Sequence, residues 1–336
     1  MKKGFRLLLL ASLLLSVVIL FSGCSVGQIM MGYIDTQGNI VIDGMFQSCQ
    51  PFSEGYAAVM LGDTSTNFWG FVNQKGECTV SMSLVQARPF YDGVAPVYKT
   101  VNKKNSWIFI NPDGTQAFEG NWKDASVFCC GLAPVQDSET ELYGYIDRQG
   151  KLALDYQFEL ASVFSTTDQL AMYRVGSENL GRCGYINTAG ETVIEPAFYY
   201  GATFSEGFAA VKQNADSNTN DWGFIDKTGK IVLGGDWAEC SEFVNGLAAV
   251  GVEVDGETLY GYINTAGEWV IEPQFNYANA FAAEEGLASV QSTEGKKRWG
   301  YINTSGKWVI EAKYEGAGNF SQGLAAVHGG DMTRAY

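Results

Sequence analysis

One pattern constrains the fold of this chain more than any bulk property: a phenylalanine that returns every 36 to 40 residues, eight times over. It stands at Phe52, Phe90, Phe128, Phe164, Phe204, Phe243, Phe281 and Phe320. Six residues before each lies a large apolar side chain: Phe46, Leu84, Trp122, Phe158, Phe198, Trp237, Phe275 and Tyr314. Midway lies a small residue: Cys49, Ala87, Ala125, Ala161, Gly201, Cys240, Ala278 and Ala317. A unit of this size cannot bury its own apolar face, so neighbouring units must stack and share a core. The length of 336 residues would otherwise allow two domains; a repeat period overrides that count.

Two further anchors set the local structure. The first is an aromatic-Gly-aromatic-Ile unit, as in Tyr143-Gly144-Tyr145-Ile146 and Trp222-Gly223-Phe224-Ile225. The third copy reads Trp107-Ile108-Phe109-Ile110 and lacks the glycine. The second is an Asx-x-x-Gly turn present in all eight copies, from Asp35/Gly38 to Asn303/Gly306. Asx bonds forward to the backbone, and Gly supplies the positive φ that rejoins the strands. β-branched runs such as Thr192-Val193-Ile194 follow, so the segment reads as a β-hairpin. The three-and-three spacing of the Phe motif predicts a helical turn or tight arch rather than a strand, because strands alternate every two residues. A third strand comes next, as in Leu324-Ala325-Ala326-Val327.

These residues resemble the bacterial WG β-repeat family, named for its Trp-Gly dipeptide, over roughly residues 31–328. The full dipeptide stands at Trp69-Gly70, Trp222-Gly223 and Trp299-Gly300; Tyr replaces Trp in other copies, and the fifth has Cys183. The resemblance implies a bacterial, often exported repeat protein, with no catalytic residues to carry over. The expected fold class is all-β, with eight tandem three-stranded repeats. They form either a closed propeller-like ring or an open or curved β-solenoid. The first hairpin lacks the strand that precedes every other hairpin. The strand Leu324–Val327 could supply it, so the strand count favours the ring.

The N-terminus reads as an address. Residues 1–23 have the form of a signal peptide: Lys2, Lys3 and Arg6, then an apolar run from Leu7 to Phe21. That run is too short for a membrane span. Phe21-Ser22-Gly23-Cys24 resembles the bacterial lipobox, which makes Cys24 the expected lipidation site. A linker at 24–30, the repeat domain at 31–328 and a tail at 329–336 complete the expected organisation. The expected location is the bacterial cell envelope, outside the cytoplasm and held to the membrane by the lipid alone. The net charge is −15, or −18 once the first 23 residues are removed. An acidic surface repels phosphate backbones, so nucleic acid is not an expected partner.

Little dedicated chemistry stands out. The one histidine, His328, reads as a solvated residue beside the tail. The repeat register explains Cys49, Cys78, Cys183 and Cys240 as small buried hydrophobes. Cys129 and Cys130 replace a turn Ser-Glu pair and are the expected reactive thiols. Asp43, Asp155, Glu195, Glu272 and Glu311 read as solvated strand ends, with Glu195-Pro196 and Glu272-Pro273 marking turns. A rim of such carboxylates is the runner-up reading. No Walker loop, dinucleotide fingerprint or zinc motif is present. No cofactor, metal or catalytic residue is expected. The expected function is a membrane-anchored surface binding or scaffold module without catalysis, its partner an envelope protein or polysaccharide. The alternative is a carbohydrate-active or other hydrolytic propeller enzyme. Variable polar loops such as 136–141 and 251–259 are the expected binding face.

Overall fold

The computed structural model describes residues 30–63, 66–101, 103–176, 181–214, 220–329 and 332. Their regular structure is β throughout, arranged in antiparallel sheets. Most sheets are shared between two copies of the repeat; one seven-stranded sheet, from Trp237–Cys240 to Trp308–Tyr314, spans three. The sheet ordered Ser48–Cys49, Tyr56–Asp63, Thr66–Asn73, Cys78–Leu84 is typical. Its first two strands belong to one copy and its last two to the hairpin of the next.

The arch departs from expectation. In six copies it is a two-residue strand rather than a helical turn; in the sixth it ends the strand Trp237–Cys240 and in the seventh the strand Trp269–Ala278, so the repeat gains a fourth strand segment. Its last residue is the small one in every copy, and it pairs with the middle of the following strand: Cys49 with Val59, Ala125 with Val135, Gly201 with Val211, Ala317 with Val327. Smallness is required by the ring that packs there. The Tyr33, Tyr145, Tyr185, Tyr262 and Tyr301 hydroxyls each donate to the carbonyl one residue past the arch strand, at 2.7 to 2.8 Å. A Cβ on Gly201 would stand 2.6 Å from the Tyr185 hydroxyl. Burial pushes these five phenols well above the usual tyrosine range.

The hairpin explains the glycine of the repeat signature. Between Ile194 and Phe198 the second strand bulges while its partner advances only from Tyr185 to Cys183. The bulged backbone lies against Gly184, where any Cβ would meet the Ile194 carbonyl. The same approach, within 2.8 Å, recurs at Gly32, Gly70, Gly144, Gly223, Gly261 and Gly300. Pro196 and Pro273 sit inside strands Thr192–Phe198 and Trp269–Ala278, at the bulge where a ladder N–H is not needed. Glu195 and Glu272 therefore lie mid-strand and do not mark turns. The third copy confirms the logic by exception. With Ile108 in place of glycine, the second hairpin strand keeps only the end bridges Trp107–Trp122 and Ile110–Gln116, and the sheet has three strands.

An aromatic pair joins each sheet to the next. The ring after the signature glycine, or after Ile108 in the third copy, meets the arch phenylalanine nineteen residues later, eight times: Tyr33–Phe52, Phe71–Phe90, Phe109–Phe128, Tyr145–Phe164, Tyr185–Phe204, Phe224–Phe243, Tyr262–Phe281 and Tyr301–Phe320. Centroids stand 4.6 to 5.1 Å apart in tilted or edge-on geometry. The turn glycines, with φ of 77° to 82°, add a second joint. A Cβ on Gly76 would touch Ile42 of the preceding hairpin, and one on Gly306 would touch Ile271.

The first and last strands share a sheet. Met31–Asp35 pairs antiparallel with Leu324–His328, Tyr33 opposite Ala326 and Ile34 opposite Ala325. The Ser321 hydroxyl donates to the Phe52 carbonyl at 2.6 Å. This matches the bond from Ser53 to Phe90 and that from Ser205 to Phe243. Part of the expected tail also joins the core: Met332 is buried, and its carbonyl accepts the Gly44 N–H.

Phe204 is 1% exposed at one of these joints. Phe204→Ala should cost about 3–5 kcal/mol in denaturant titration, as large core truncations do. A loss below about 1 kcal/mol would show that the joint does not hold adjacent sheets together.

Candidate functional site

The arches of five successive copies border one cleft of about 640 Å³. Phe128, Phe164 and Phe204 form its apolar floor, and Ser162, Thr167 and Thr203 contribute hydroxyls. Tyr91 and Tyr200 stand at the cleft with 44% and 48% of their surface exposed. Tyr91 and Glu242, both on its wall, are four copies apart in the sequence. Such a surface, apolar below and hydroxylated above, suits binding. The Thr167 hydroxyl on its wall donates to the Asp168 carboxylate at 2.7 Å.

A belt of turns runs beside the cleft. Residue pairs such as Glu54-Gly55 and Glu206-Gly207 both have positive φ, the type I′ geometry that matches strand twist. The side chain in the first position then caps the next turn. Glu54 accepts from the Gly93 N–H at 2.9 Å, Glu206 from the Asn245 and Gly246 N–H groups, and Glu285 from Gly323. Gln322 accepts from Gly55. In the fourth copy Asp168 takes this role, with its carboxylate 3% exposed and Lys227 at 2.6 Å. Burial alone would raise the Asp168 pKa. Lys227, the Thr167 hydroxyl and the Gly207 N–H outweigh it and hold the carboxyl below the usual aspartate range. Sequence reasoning missed these structural acids. The signal was present, since an acid or amide precedes the turn glycine in most copies.

The sequence candidates fall as follows. Cys24 lies outside the described residues. His328 is not a solvated tail residue; it ends the strand Leu324–His328, half-buried over Gly316. Asp155, Glu195, Glu272 and Glu311 are exposed mid-strand residues beside the bulge, as Asp43 is by position. They do not meet at one site. Cys183 is buried, and Cys49 and Cys240 are partly covered at the arch, but Cys78 is exposed, contrary to expectation. Nothing in the hairpin requires that first strand position to be covered.

The Cys129 and Cys130 thiols stand 3.7 Å apart, both free. Cys130 occupies the turn position of Glu54 and donates to the Ser165 carbonyl instead of accepting. Burial, then the adjacent Cys130, pushes the Cys129 thiol up to about 12. Cys129 is thus a protonated, weak nucleophile at neutral pH. Among the described residues no group of three or more His, Cys, Asp or Glu side chains is placed to hold a metal.

Antiparallel sheets joined edge to face in a repeating series define a β-propeller-like repeat protein. The chain belongs to the WG containing repeat family, whose model matches residues 31–64, 69–100, 143–177, 184–215, 222–253, 260–296 and 299–327. Seven copies are matched. The unmatched one is the third, where Ile108 displaces the glycine. No curated protein matches the sequence. Solved structures agree on the fold. The β-propeller domain of the Trilobed protease from Pyrococcus furiosus aligns with 79% of this chain and 98% of its own, at 9% identity and TM-score 0.50. An uncharacterised protein of Listeria monocytogenes aligns with 79% and 93%, at 11% identity and TM-score 0.51. Prolyl oligopeptidase B from Galerina marginata gives TM-score 0.56 at 10% identity, covering 85% of this chain and 51% of that enzyme.

The Asp168 pair has a pH signature. A carboxyl with a lowered folded pKa contributes stability that is present above its unfolded value, near 3.8. That contribution is lost as pH falls through the folded value. Asp168→Asn should cost about 1–2 kcal/mol at pH 7, the Lys227 end being half exposed and screened. The gap between wild type and variant should close toward pH 3. An unchanged gap across that range would mean the carboxylate charge contributes nothing.

Proposed function

We propose that this chain is a lipid-anchored binding module of the bacterial cell envelope, built as a propeller-like ring and acting without catalysis. The observation that carries the binding reading is the cleft shared by five copies. Its walls come from backbone and side chains whose other polar groups are already committed to turns and joints. What it offers a ligand is shape, apolar floor and hydroxyls. Residues 1–24 support the address: a basic start, a short apolar run and Ser22-Gly23-Cys24. Two acyl chains on one cysteine are enough for stable anchoring. The partner is an envelope protein or polysaccharide rather than a nucleic acid, given the net charge of −15.

Four contacts between the ends of the chain support the ring. The first strand pairs with the last over five residues. The Gln322–Gly55 cap and the Ser321–Phe52 bond repeat, between the last copy and the first, contacts made between consecutive copies elsewhere. Gly38 of the first hairpin stands against Ile310 of the last, as Gly76 stands against Ile42.

Cys24→Ala should move the protein from the membrane to the soluble fraction and abolish labelling by a fatty-acid probe; persistent labelling would remove the anchor. The soluble domain from residue 25 onward should retain a specific component of envelope extract. Retention of nothing above a control protein would remove the binding reading. For the ring, deletion of residues 298–336 should collapse hydrogen-exchange protection at Tyr33 and Ile34, whose strand partner is then gone. Protection kept there, with loosening confined to the seventh repeat, is the behaviour of an open stack.

A further inference from the structure

The seventh and eighth copies differ from the rest at one position. Where other copies place Ile40, Cys78, Gln116, Leu152, Thr192 or Ile231, they place Trp269 and Trp308. Each tryptophan lines a surface groove, one of about 600 Å³ and one of about 550 Å³. The two grooves are the same structure one repeat apart. Trp237 in the first corresponds to Phe275 in the second, Trp269 to Trp308, and Glu272 to Glu311. Both tryptophans are half-buried. Trp269 packs against the cluster that includes Phe224 and Phe243, and Trp308 meets Phe275 edge-on at 6.0 Å. The Trp308 ring also covers Gly300. Each indole is thus held rigid from below while part of it stays open to the groove.

We propose that these paired grooves bind a neutral glycan strand, one sugar face against each tryptophan. The idea rests on the binding-module reading and names its ligand. A fixed indole face offers an apolar platform to the C–H face of a pyranose. The neighbouring carboxylates, Glu272 and Glu311, accept hydrogen bonds from ring hydroxyls. Charge narrows the ligand further. The first groove carries only acids, Asp236, Glu253 and Glu272, so an anionic polymer is repelled. The second adds Lys296 and Arg298 to Glu294 and Glu311, so a polycation gains nothing there. A neutral polyhydroxyl chain is the ligand that both grooves accept. Two platforms one repeat apart favour a polymer over a monosaccharide, because the second contact becomes intramolecular.

The test uses the soluble eight-repeat domain and follows tryptophan fluorescence. Probes are neutral hexasaccharides of the β-glucan and N-acetylglucosamine types, their disaccharides, and hexalysine as the cationic control. A hexasaccharide of one type should quench fluorescence and bind at least tenfold more tightly than its disaccharide. Trp269→Ala and Trp308→Ala should each weaken binding about tenfold, and the double variant should abolish it. Trp269→Phe and Trp308→Phe should keep part of the affinity, which separates a stacking role from a folding defect. Absence of binding by every neutral hexasaccharide overturns the proposal, as does wild-type affinity in the double variant or preference for hexalysine. If the double variant still retains an envelope component, the groove proposal alone has failed. If wild type retains none and binds no hexasaccharide, the binding-module reading has failed with it.

Discussion

The structure depends on a contact between two rings, one presented by the hairpin and one just past the arch that follows it. The aromatic after the signature glycine sits mid-hairpin; the arch phenylalanine nineteen residues later stands where the next sheet opens, except at Tyr262–Phe281, which lies within the seven-stranded sheet. A hairpin with a two-residue edge strand has too little apolar surface to be stable by itself. Placing its largest ring against a neighbour turns eight weak units into one core. Tyr33–Phe52 and Tyr301–Phe320 have the same geometry although they lie at opposite ends of the chain.

That contact explains much else in the repeat. The ring needs space beside the arch, so the arch residue is small. Where the ring is tyrosine, its hydroxyl must be satisfied, and the carbonyl past the arch lies within reach. The hairpin that presents the ring carries a bulge, and the bulge leaves no room for a Cβ opposite. Ile108 shows the limit of tolerance. Without the glycine the hairpin opens in its middle, yet the Phe109–Phe128 pair persists at 5.1 Å, helped by Phe118 stacked on Phe109. The joint outlasts the local signature because it, and not the dipeptide, holds the sheets together.

A scaffold of this kind commits most of its polar groups. Turn Asx residues bond to their own turns, and Glu54, Asp168, Glu206 and Glu285 cap the next copy. Under the proposed binding role, the surfaces left for a ligand are those where copies differ from one another or where several converge. The arch-lined cleft is the second case, and the grooves under Trp269 and Trp308 are the first. Variation in a repeat protein costs little stability when it falls on a half-exposed position beside a conserved joint, as these tryptophans do.

The sequence by itself determined the period, the hairpin, the Asx-Gly turn and the phenylalanine knob, because each rests on a local backbone demand or a fixed spacing. It misread the arch, since a two-residue strand is too short to show alternation and exists only through its pairing with Val59, Val97 or Val135. It misread Glu195-Pro196 and Glu272-Pro273 as turns, because a bulge is defined by the strand opposite. It placed His328 beside a tail that is in part docked, through Met332, on the first hairpin. The tertiary structure alone decided that Met31–Asp35 meets Leu324–His328, and that residues 38 to 40 apart line equivalent grooves. Those facts depend on pairing between the two ends of the chain and on rings packed between hairpin and arch, neither of which is written at any one residue.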